Sequence, residues 1–352
     1  MKFPKKEIGV LIGSILFAFL LCEALYRMYD FYYYGRQLNK FAKDQAILQL
    51  IPYDPVLQYA LKPGGYFLLG GKIPYKINSA GFRDYDIPLD KGASRRIIIL
   101  GDSNTFGWGI RMEDTFPKAL ERKLKDEGLN IQVMNAGVYG YNTRQEVLFL
   151  RHELLKYKPD TVIIAFHPND TQVNGTFPNH PFIKNGESYY HSWFFEFLKS
   201  RINRFLNRNK RDSTWCTSKT GDFFPLKVKL ANFCITYEQG FADDYPGWAK
   251  TKEALKEAKR LSQEHGFSLL LMILPDFSRD FANYGLEWVH EKVREFARNA
   301  GINALDVYPY FKGMDNTSLQ NTELGDTHPN KRAHEIIAEA LQARLRERGL
   351  LE

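Results

Sequence analysis

Ser103 is the residue of this sequence whose position best suits nucleophilic chemistry. It follows a short apolar run at residues 97–100 and the dipeptide Gly101-Asp102. An apolar run of this length predicts a buried strand. A glycine at its end permits a sharp turn, which leaves the next side chains at the edge of the sheet. Because open α/β sheets carry their active sites beyond the carboxyl ends of strands, Ser103 is a candidate nucleophile.

A serine nucleophile needs a general base, and His328 is the strongest candidate among the eight histidines of the chain. It lies just before a predicted closing helix, with Asp326 two residues earlier and Pro329 directly after it. Asp326 can accept a hydrogen bond from one ring nitrogen of His328 while the other nitrogen faces Ser103. These residue types therefore predict a Ser-His-Asp triad.

Three groups are candidates for stabilising an oxyanion. They are the backbone N–H groups of Ser103 and Gly137 and the side-chain amide of Asn169. Gly137 follows a second predicted strand at residues 131–134, and Asn169 follows a third at residues 161–166. All three donors follow the carboxyl ends of predicted strands, so we expect them to line one rim of the sheet.

These blocks resemble the SGNH (GDSL-type) hydrolase superfamily. Residues 101–109 are similar to the first block of that family, and Gly137 and Asn169 resemble its second-block glycine and third-block asparagine. Asp326 and His328 resemble the acid and base of the fifth block. The resemblance covers roughly residues 97–349 apart from an insert. It implies a flavodoxin-like sandwich and a serine acyl-enzyme, with no metal and no cofactor.

The chain departs from the family pattern at two places. His167 stands where the third block usually begins with glycine, so it either reshapes the rim, contacts substrate or is a buried structural residue. The family acid usually lies three residues before the histidine, where this chain has Gly325. Asp326 lies two residues before, a spacing that points extended side chains to the same face. We expect Asp102 to stabilise the loop of the nucleophile rather than to transfer protons.

The elements that must position these residues alternate between strands and helices from residue 95 onward. The apolar patterns predict five strands, at residues 97–100, 131–134, 161–166, 267–274 and 302–307. They also predict helices at residues 115–124, 143–157, 252–265, 288–300 and 330–348. Strands separated by helices imply parallel pairing through right-handed crossovers. The expected fold is therefore an α/β, three-layer α/β/α sandwich with a mainly parallel sheet.

The first 27 residues predict a signal anchor. Lys2, Lys5 and Lys6 precede an apolar run at residues 8–21, which is short for a span of about 20 residues, and no small-x-small cleavage site follows it. The basic flank favours a cytoplasmic amino terminus. We expect a single-pass membrane protein with a periplasmic or extracellular catalytic domain. A buried core helix is the weaker alternative.

The sequence divides into three parts. Residues 1–27 form the basic flank and anchor, residues 28–94 a stalk and irregular lead-in, and residues 95–352 the hydrolase domain, with an insertion at about 171–247. Within the insertion, residues 193–211 have the pattern of a basic amphipathic helix. Such a helix either lies on a membrane surface or packs on its own domain with a solvated basic face.

Composition restricts the class of protein further. The chain has 352 residues, of which 44% are hydrophobic, as expected of a globular protein with a substantial core. The formal net charge of +7 suits an anionic membrane surface or an acidic polymer, but no nucleic-acid-binding motif is present. Cys216 and Cys234 both lie in the insertion; in an exported chain they either pair or stay free.

Together these features predict an extracytoplasmic serine esterase that hydrolyses carboxylic esters, with acetyl or short acyl groups. The expected substrate is an acyl ester of a glycan or a lipid. Three alternatives stay open. The first is an O-acetyltransferase that acts on a cell-surface polysaccharide beside a membrane acyltransferase partner. The others are a lipid esterase and a non-catalytic binding protein on the same fold.

Overall fold

A computed structural model describes residues 13–14, 17–25, 53–54, 56–69, 72–171, 183–184, 187–188 and 237–351. Short antiparallel pairs occur before and within the main domain. They are β1 (Tyr53–Asp54) with β2 (Gln58–Tyr59), β3 (Tyr66–Leu69) with β4 (Ile73–Lys76), and β8 (Ile183–Lys184) with β9 (Glu187–Ser188).

The centre of the protein is a five-stranded parallel sheet. Its strands are β5 (Arg95–Gly101), β6 (Ile131–Gly137), β7 (Thr161–Phe166), β10 (Ser268–Ile273) and β11 (Asn303–Asp306). Every residue of β7 is buried, as expected of a parallel strand covered on both faces. The predicted parallel α/β sheet is therefore confirmed.

The strands lie in the order β6-β5-β7-β10-β11. Numbered along the chain within this sheet, the order is 2-1-3-4-5, which is that of flavodoxin-like folds. The strand order reverses between β5 and β7, and such a switch point opens a crevice beyond the carboxyl ends of the two strands. Ser103 directly follows β5 and Asn169 follows β7, so both belong to this crevice.

Helices cover the sheet in two groups. The helices are α1 (Ser103–Phe106), α2 (Phe116–Asp126), α3 (Thr143–Phe149), α4 (Tyr237–Gly240), α5 (Pro246–His265), α6 (Glu287–Asn299) and α7 (Lys331–Glu347). Helix α2 packs against α7, whereas α3 packs against α5. Right-handed crossovers in this strand order place α2 on one face and α3, α5 and α6 on the other, which gives three layers.

The helix predicted at residues 143–157 is less regular than expected. Helix α3 ends at Phe149, and the chain continues through a π-helical turn (Leu150–Leu154) and a 3-10 turn (Leu155–Tyr157). Lys158 then adopts a positive φ of 50°. The helix cannot continue past this point because the following proline disfavours the α conformation at Lys158.

The lead-in is part of the main hydrophobic core. Its residues Leu57, Phe67, Tyr75 and Phe82 are buried in the same cluster as the strands of the large sheet. The extended part of the lead-in ends with β4, at Lys76.

A turn around Asn78 follows β4. The Asn78 side-chain oxygen accepts hydrogen bonds from the N–H groups of Ala80 and Phe82, at 3.0 and 2.9 Å. Asparagine favours turns because its side chain can bond to the backbone in this way. The turn brings the next residue, Arg83, into the interior.

Two predicted features fall largely outside the described residues. Of the predicted anchor, residues 13–14 and 17–25 are described and are helical. No helix in the described part of the chain combines the length and the apolar character needed to cross a membrane. The predicted amphipathic helix at residues 193–211, and Cys216 and Cys234, lie outside the described residues.

Candidate active site

Asp102 fixes the start of the short helix that carries Ser103. Its carboxylate accepts hydrogen bonds from the backbone N–H and the side-chain amide of Asn104, at 2.8 and 2.9 Å. Asp102 is thus the N-cap of α1, which fits its expected role in stabilising the loop. Ser103 occupies the first helical position, where a backbone N–H has no partner within the helix.

Ser103, His328 and Asp326 form a continuous hydrogen-bonded chain. Ser103 Oγ lies 2.8 Å from His328 Nε2, and His328 Nδ1 lies 2.7 Å from Asp326 Oδ1. Asp326 Oδ1 also accepts the backbone N–H of His328, at 2.9 Å. The Asp326 side chain is buried, whereas the His328 ring keeps a side open to solvent. The arrangement can move a proton from the serine hydroxyl to the imidazole.

Nearby carboxylates favour the protonated form of His328. Burial of the ring acts to lower the pKa of His328. The charge of Asp326 and its hydrogen bond to the ring outweigh burial, with smaller contributions from Asp102 and Asp276. The pKa of His328 is therefore raised above its usual value, as expected of a base that must hold a proton during catalysis.

The loop of the acid and base is held by its own backbone. Asn321 N–H donates to the His328 carbonyl at 3.1 Å, and Asp326 N–H donates to the Asn321 carbonyl at 3.2 Å. Gly325 has a φ of 65°, which favours glycine, and it ends a 3-10 turn. Gly325 turns the chain so that the side chain of Asp326 faces His328.

Asn169 lies beside the nucleophile loop. Its side-chain amide donates to Asp102 Oδ2 at 3.4 Å, which leaves a second amide hydrogen to point elsewhere. His167 lies at the start of the same turn, where its ring Nδ1 accepts the Asn169 backbone N–H at 3.4 Å. His167 is largely buried. The geometry gives His167 a part in shaping the turn, and its contact with substrate stays a prediction.

Gly137 lies at the end of β6, beside the nucleophile helix, and its role as an oxyanion donor stays a prediction. Its N–H donates to the side-chain oxygen of Asn135 at 3.0 Å. A Cβ atom on Gly137 would lie 2.3 Å from the backbone nitrogen of Phe106 and 2.8 Å from Thr105 Cβ. Gly137 therefore lets α1 lie directly against β6, and it supports Ser103 through packing.

Two further acids lie beneath the site and were not predicted from the sequence. Asp170 and Glu146 are buried, and Asp170 Oδ2 accepts a hydrogen bond from Thr143 Oγ1 at 2.8 Å. Neither carboxylate oxygen of Glu146 has a hydrogen-bond partner among the described residues. Burial, followed by the charges of Asp170 and Asp102, raises the pKa of Glu146 well above its usual range. Its surroundings therefore favour the neutral, protonated form of Glu146.

The signal for Glu146 was present in the sequence. It lies four residues before Leu150, on the apolar face of the predicted helix at residues 143–157. A charged side chain on a buried helix face is rare unless it is paired or neutral.

Aromatic rings form a wall beside the triad. The ring of Trp108 lies 6.4 Å from that of His328 and 4.8 Å from that of Tyr139, measured between centroids. Both aromatic residues are largely buried, and Ser103 itself is only 8% exposed. The side of the triad next to Trp108 is therefore partly apolar.

Comparisons with known proteins identify the family of this chain. Residues 99–336 match the GDSL-like lipase/acylhydrolase family. An arylesterase from Vibrio mimicus is 31% identical over 78 residues, which is 22% of this chain and 39% of that protein. This chain therefore matches about two fifths of the length of its curated relative.

Solved structures show more distant similarity. TesA is 16% identical and has a TM-score of 0.42, covering 72% of this chain and 99% of that chain. Axe2, an acetylxylan esterase from Geobacillus stearothermophilus, is 15% identical and has a TM-score of 0.43. The match covers 73% of this chain and 94% of the Axe2 chain. Similarity at this level does not bear on the reaction. The family match, in contrast, spans most of the chain and includes Ser103, Asn169, Asp326 and His328, and the chain belongs to the GDSL-like lipase/acylhydrolase family.

Proposed function

We propose that this protein is a serine esterase that hydrolyses carboxylic esters through Ser103, His328 and Asp326. The observation that carries the proposal is the hydrogen-bonded chain from Asp326 through His328 to Ser103, with links of 2.7 and 2.8 Å. Membership of the GDSL-like lipase/acylhydrolase family supports ester chemistry.

In the first half of the reaction, Ser103 Oγ attacks the ester carbonyl carbon while His328 Nε2 takes the hydroxyl proton. Asp326 stabilises the imidazolium that forms. The tetrahedral intermediate then collapses, and His328 gives the proton to the departing alcohol. In the second half, His328 removes a proton from water, which attacks the acyl-enzyme. Ser103 recovers its proton when the carboxylic acid leaves.

Two donors fit the developing oxyanion. The N–H of Ser103 lies at the amino end of α1, where helix N–H groups point outward and favour negative charge. The Asn169 amide has one hydrogen directed at Asp102 and a second one for the substrate oxygen. Removing one such donor typically lowers kcat by about 10²–10³-fold.

The surroundings of Ser103 favour a small acyl group. Trp108 and Tyr139 form a wall next to the triad, and little of the serine is exposed. We therefore infer an acetyl or short acyl ester of a glycan or lipid as the substrate class. A long acyl chain would have to displace these packed rings.

We also propose an extracytoplasmic location with the amino terminus as anchor. Lys2, Lys5 and Lys6 precede the apolar run at residues 8–21, a charge arrangement that favours a cytoplasmic amino terminus. In the helical segment at residues 17–25, Phe17 and Leu20 are 68% and 63% exposed, as lipid-facing side chains would be.

The experiment compares full-length wild type, Ser103→Ala and Ser262→Ala, a buried serine on α5 that serves as control. Acetyl, butyryl and decanoyl p-nitrophenyl esters are the substrates, and a fluorophosphonate probe labels the active serine. We expect Ser103→Ala to lose at least about 10³-fold in kcat and all labelling, with Ser262→Ala unchanged. Retained hydrolysis in Ser103→Ala, or no labelling of the wild type, would refute the proposal.

The same assay distinguishes the acceptor of the acyl group. A cell-surface polysaccharide is added to the reaction, and products are analysed by mass spectrometry. Free acid alone supports the hydrolase. Acylated polysaccharide would show that a sugar hydroxyl, rather than water, receives the acyl group.

A further inference from the structure

Arg83 is a buried cation that lies outside the part of the chain that matches the family. Its side chain is fully buried, although it belongs to the lead-in before β5. Arg83 Nη1 donates to the carbonyl oxygens of Phe106 and Gly107, at 2.7 and 2.6 Å, and Nη2 donates to that of Ile110, at 2.6 Å. All three acceptors lie at or just after the carboxyl end of α1. The guanidinium therefore clamps the far end of the nucleophile helix.

The partners of this guanidinium are carbonyl groups and rings. Its central carbon lies 3.9 Å from the centre of the Tyr75 ring and 5.1 Å from that of Phe106. In the described part of the chain, Arg83 forms no ion pair with a carboxylate. Burial lowers the pKa of Arg83 to about 10, against raising effects of Tyr75 and Glu113. Arg83 is thus charged at neutral pH, and it faces the negative end of the α1 dipole.

Helix α1 depends on such outside support. It has four residues, too few to be stable on its own hydrogen bonds. The turn after it contains Gly107 and Gly109, with φ of 83° and 82°. The Tyr75 hydroxyl accepts the Gly109 N–H at 2.6 Å, so a second lead-in residue holds the same turn.

We propose that Arg83 is a positioning residue, which holds α1 so that Ser103 at its other end keeps its geometry toward His328. The proposal rests on the esterase function proposed above. It follows that the lead-in is a working part of the catalytic unit. A Cβ atom on Gly107 would lie 3.0 Å from Arg83 Nη1, which shows how closely the two elements fit.

Arg96 provides a matched control. It is also a fully buried arginine, and it donates to the carbonyl oxygens of Tyr157 and Pro88, at 2.6 and 2.8 Å. It lies near the start of β5, five residues before Gly101, or about 17 Å along the strand from the nucleophile turn. Replacing either arginine removes the same chemical group, but only Arg83 contacts the helix of Ser103.

The experiment uses full-length Arg83→Met, Arg83→Lys and Arg96→Met. It measures kcat and KM with p-nitrophenyl acetate, the melting temperature, and hydrogen exchange of peptides that cover residues 101–111. We expect Arg83→Met to lose about 10²-fold in kcat with KM within ~3-fold, since small misplacements of reacting groups have effects of this size. Hydrogen exchange of the peptides that cover residues 101–111 should be faster in Arg83→Met than in the wild type. Arg83→Lys keeps the positive charge but lacks the planar set of guanidinium N–H donors, so it should recover part of kcat. Arg96→Met shows a similar fall in melting temperature and keeps kcat.

Several results would overturn the inference. One is an Arg83→Met enzyme with wild-type kcat and unchanged exchange at residues 101–111. Another is an Arg96→Met enzyme that loses as much kcat as Arg83→Met, because the effect would then be general destabilisation. If the wild type hydrolyses no ester, the proposed function fails, but the exchange measurement still decides the role of Arg83. If Arg83→Met does not fold, Arg83→Lys is judged by the same readouts.

Discussion

The side-chain amide of Asn321 donates a hydrogen bond to the carbonyl oxygen of Trp108, at 3.1 Å. This bond joins the loop of the acid and base to the turn that follows the nucleophile helix. The approach is close, since a Cβ atom on Gly109 would lie 2.5 Å from Asn321 Nδ2. Asn321 also bonds through its backbone to His328 and Asp326. Asn321 thus fixes the position of the loop that carries Asp326 and His328 relative to the helix that carries Ser103.

We therefore predict that Asn321→Ala lowers kcat by about 10-fold, because the base loop loses its tie to the nucleophile turn while the triad residues stay in place. The melting temperature should fall by about 1–2 °C, the shift expected for a loss of ~1 kcal/mol in a chain of 352 residues. Steady-state kinetics and thermal unfolding measure both. The exposed neighbour Thr322→Ala is the control and should leave kcat unchanged. Equal kcat in both variants would contradict the prediction.

The acid limb of the pH profile should reflect His328. Only the neutral imidazole accepts the Ser103 proton, so kcat/KM falls as pH drops through the pKa of His328. Because Asp326 raises that pKa, we expect the midpoint above the ordinary value of about 6.5. Asp326→Asn should move the midpoint down and lower kcat by about 10³–10⁴-fold. A pH–rate series on both proteins tests this, and an unmoved midpoint would count against it.

The stability of the folded protein should also depend on the protonation of His328. It should decrease as pH rises, whereas kcat/KM increases. A histidine whose pKa is raised on folding stabilises the folded state fully below its unfolded pKa. That contribution is lost as pH rises through the folded value. Denaturant unfolding of wild type and His328→Gln between pH 5 and 8 measures it. The wild type should lose stability relative to the variant as pH rises, and a constant difference would argue against the raised pKa.

Asn169→Ala should separate catalysis from binding. The variant removes an oxyanion donor, so we expect kcat to fall by about 10²–10³-fold with KM nearly unchanged. The same change removes the 3.4 Å hydrogen bond to Asp102, and Asn169→Asp, which cannot donate, should be at least as slow. Kinetics with p-nitrophenyl acetate test both variants. A change confined to KM would assign Asn169 to substrate binding instead.

Glu146→Gln should stabilise the protein increasingly as pH rises. The pKa of Glu146 is raised in the folded state, first by burial and then by the charges of Asp170 and Asp102. Wild-type stability is therefore lost as pH rises above the unfolded pKa, with a slope of at most ~1.4 kcal/mol per pH unit. Glutamine is neutral at every pH and removes this loss. Urea unfolding at pH 5 and pH 8 measures the difference. Glu153→Gln, on the exposed side, is the control; a Glu146→Gln protein less stable at both pH values would contradict the argument.

The sequence was most informative where apolar patterns and strand ends decide the structure. Strand β7 has the bounds that the apolar run at residues 161–166 predicts. The closeness of Ser103 and His328 follows from residue types at strand and loop ends. The sequence was less informative about where β6 ends. Strand β6 continues three residues past the predicted end, and Asn135 within it takes up the Gly137 N–H.

Other features leave no mark in residue types. Arg83 binds three carbonyl groups that lie 23, 24 and 27 residues further along the chain. Every residue carries a carbonyl, so no spacing of side chains could have indicated this contact. Glu146, in contrast, was visible as a charge on an apolar helix face. Its raised pKa comes from burial and then from the charges of Asp170 and Asp102, which lie far from it in sequence.

Because the lead-in and the large sheet share one core, the folded catalytic unit starts before the part of the chain that matches the family. The recognisable family pattern starts at residue 99, but Phe67, Tyr75 and Phe82 are buried in one core with the strands of the family domain. A gene fragment trimmed to the family boundary would lose these rings, uncover the surfaces they pack on and leave the turn at Gly107 without its clamp. The part of the chain that matches the family is therefore shorter than the part that folds as one unit. The smallest active version of this chain should start before β3.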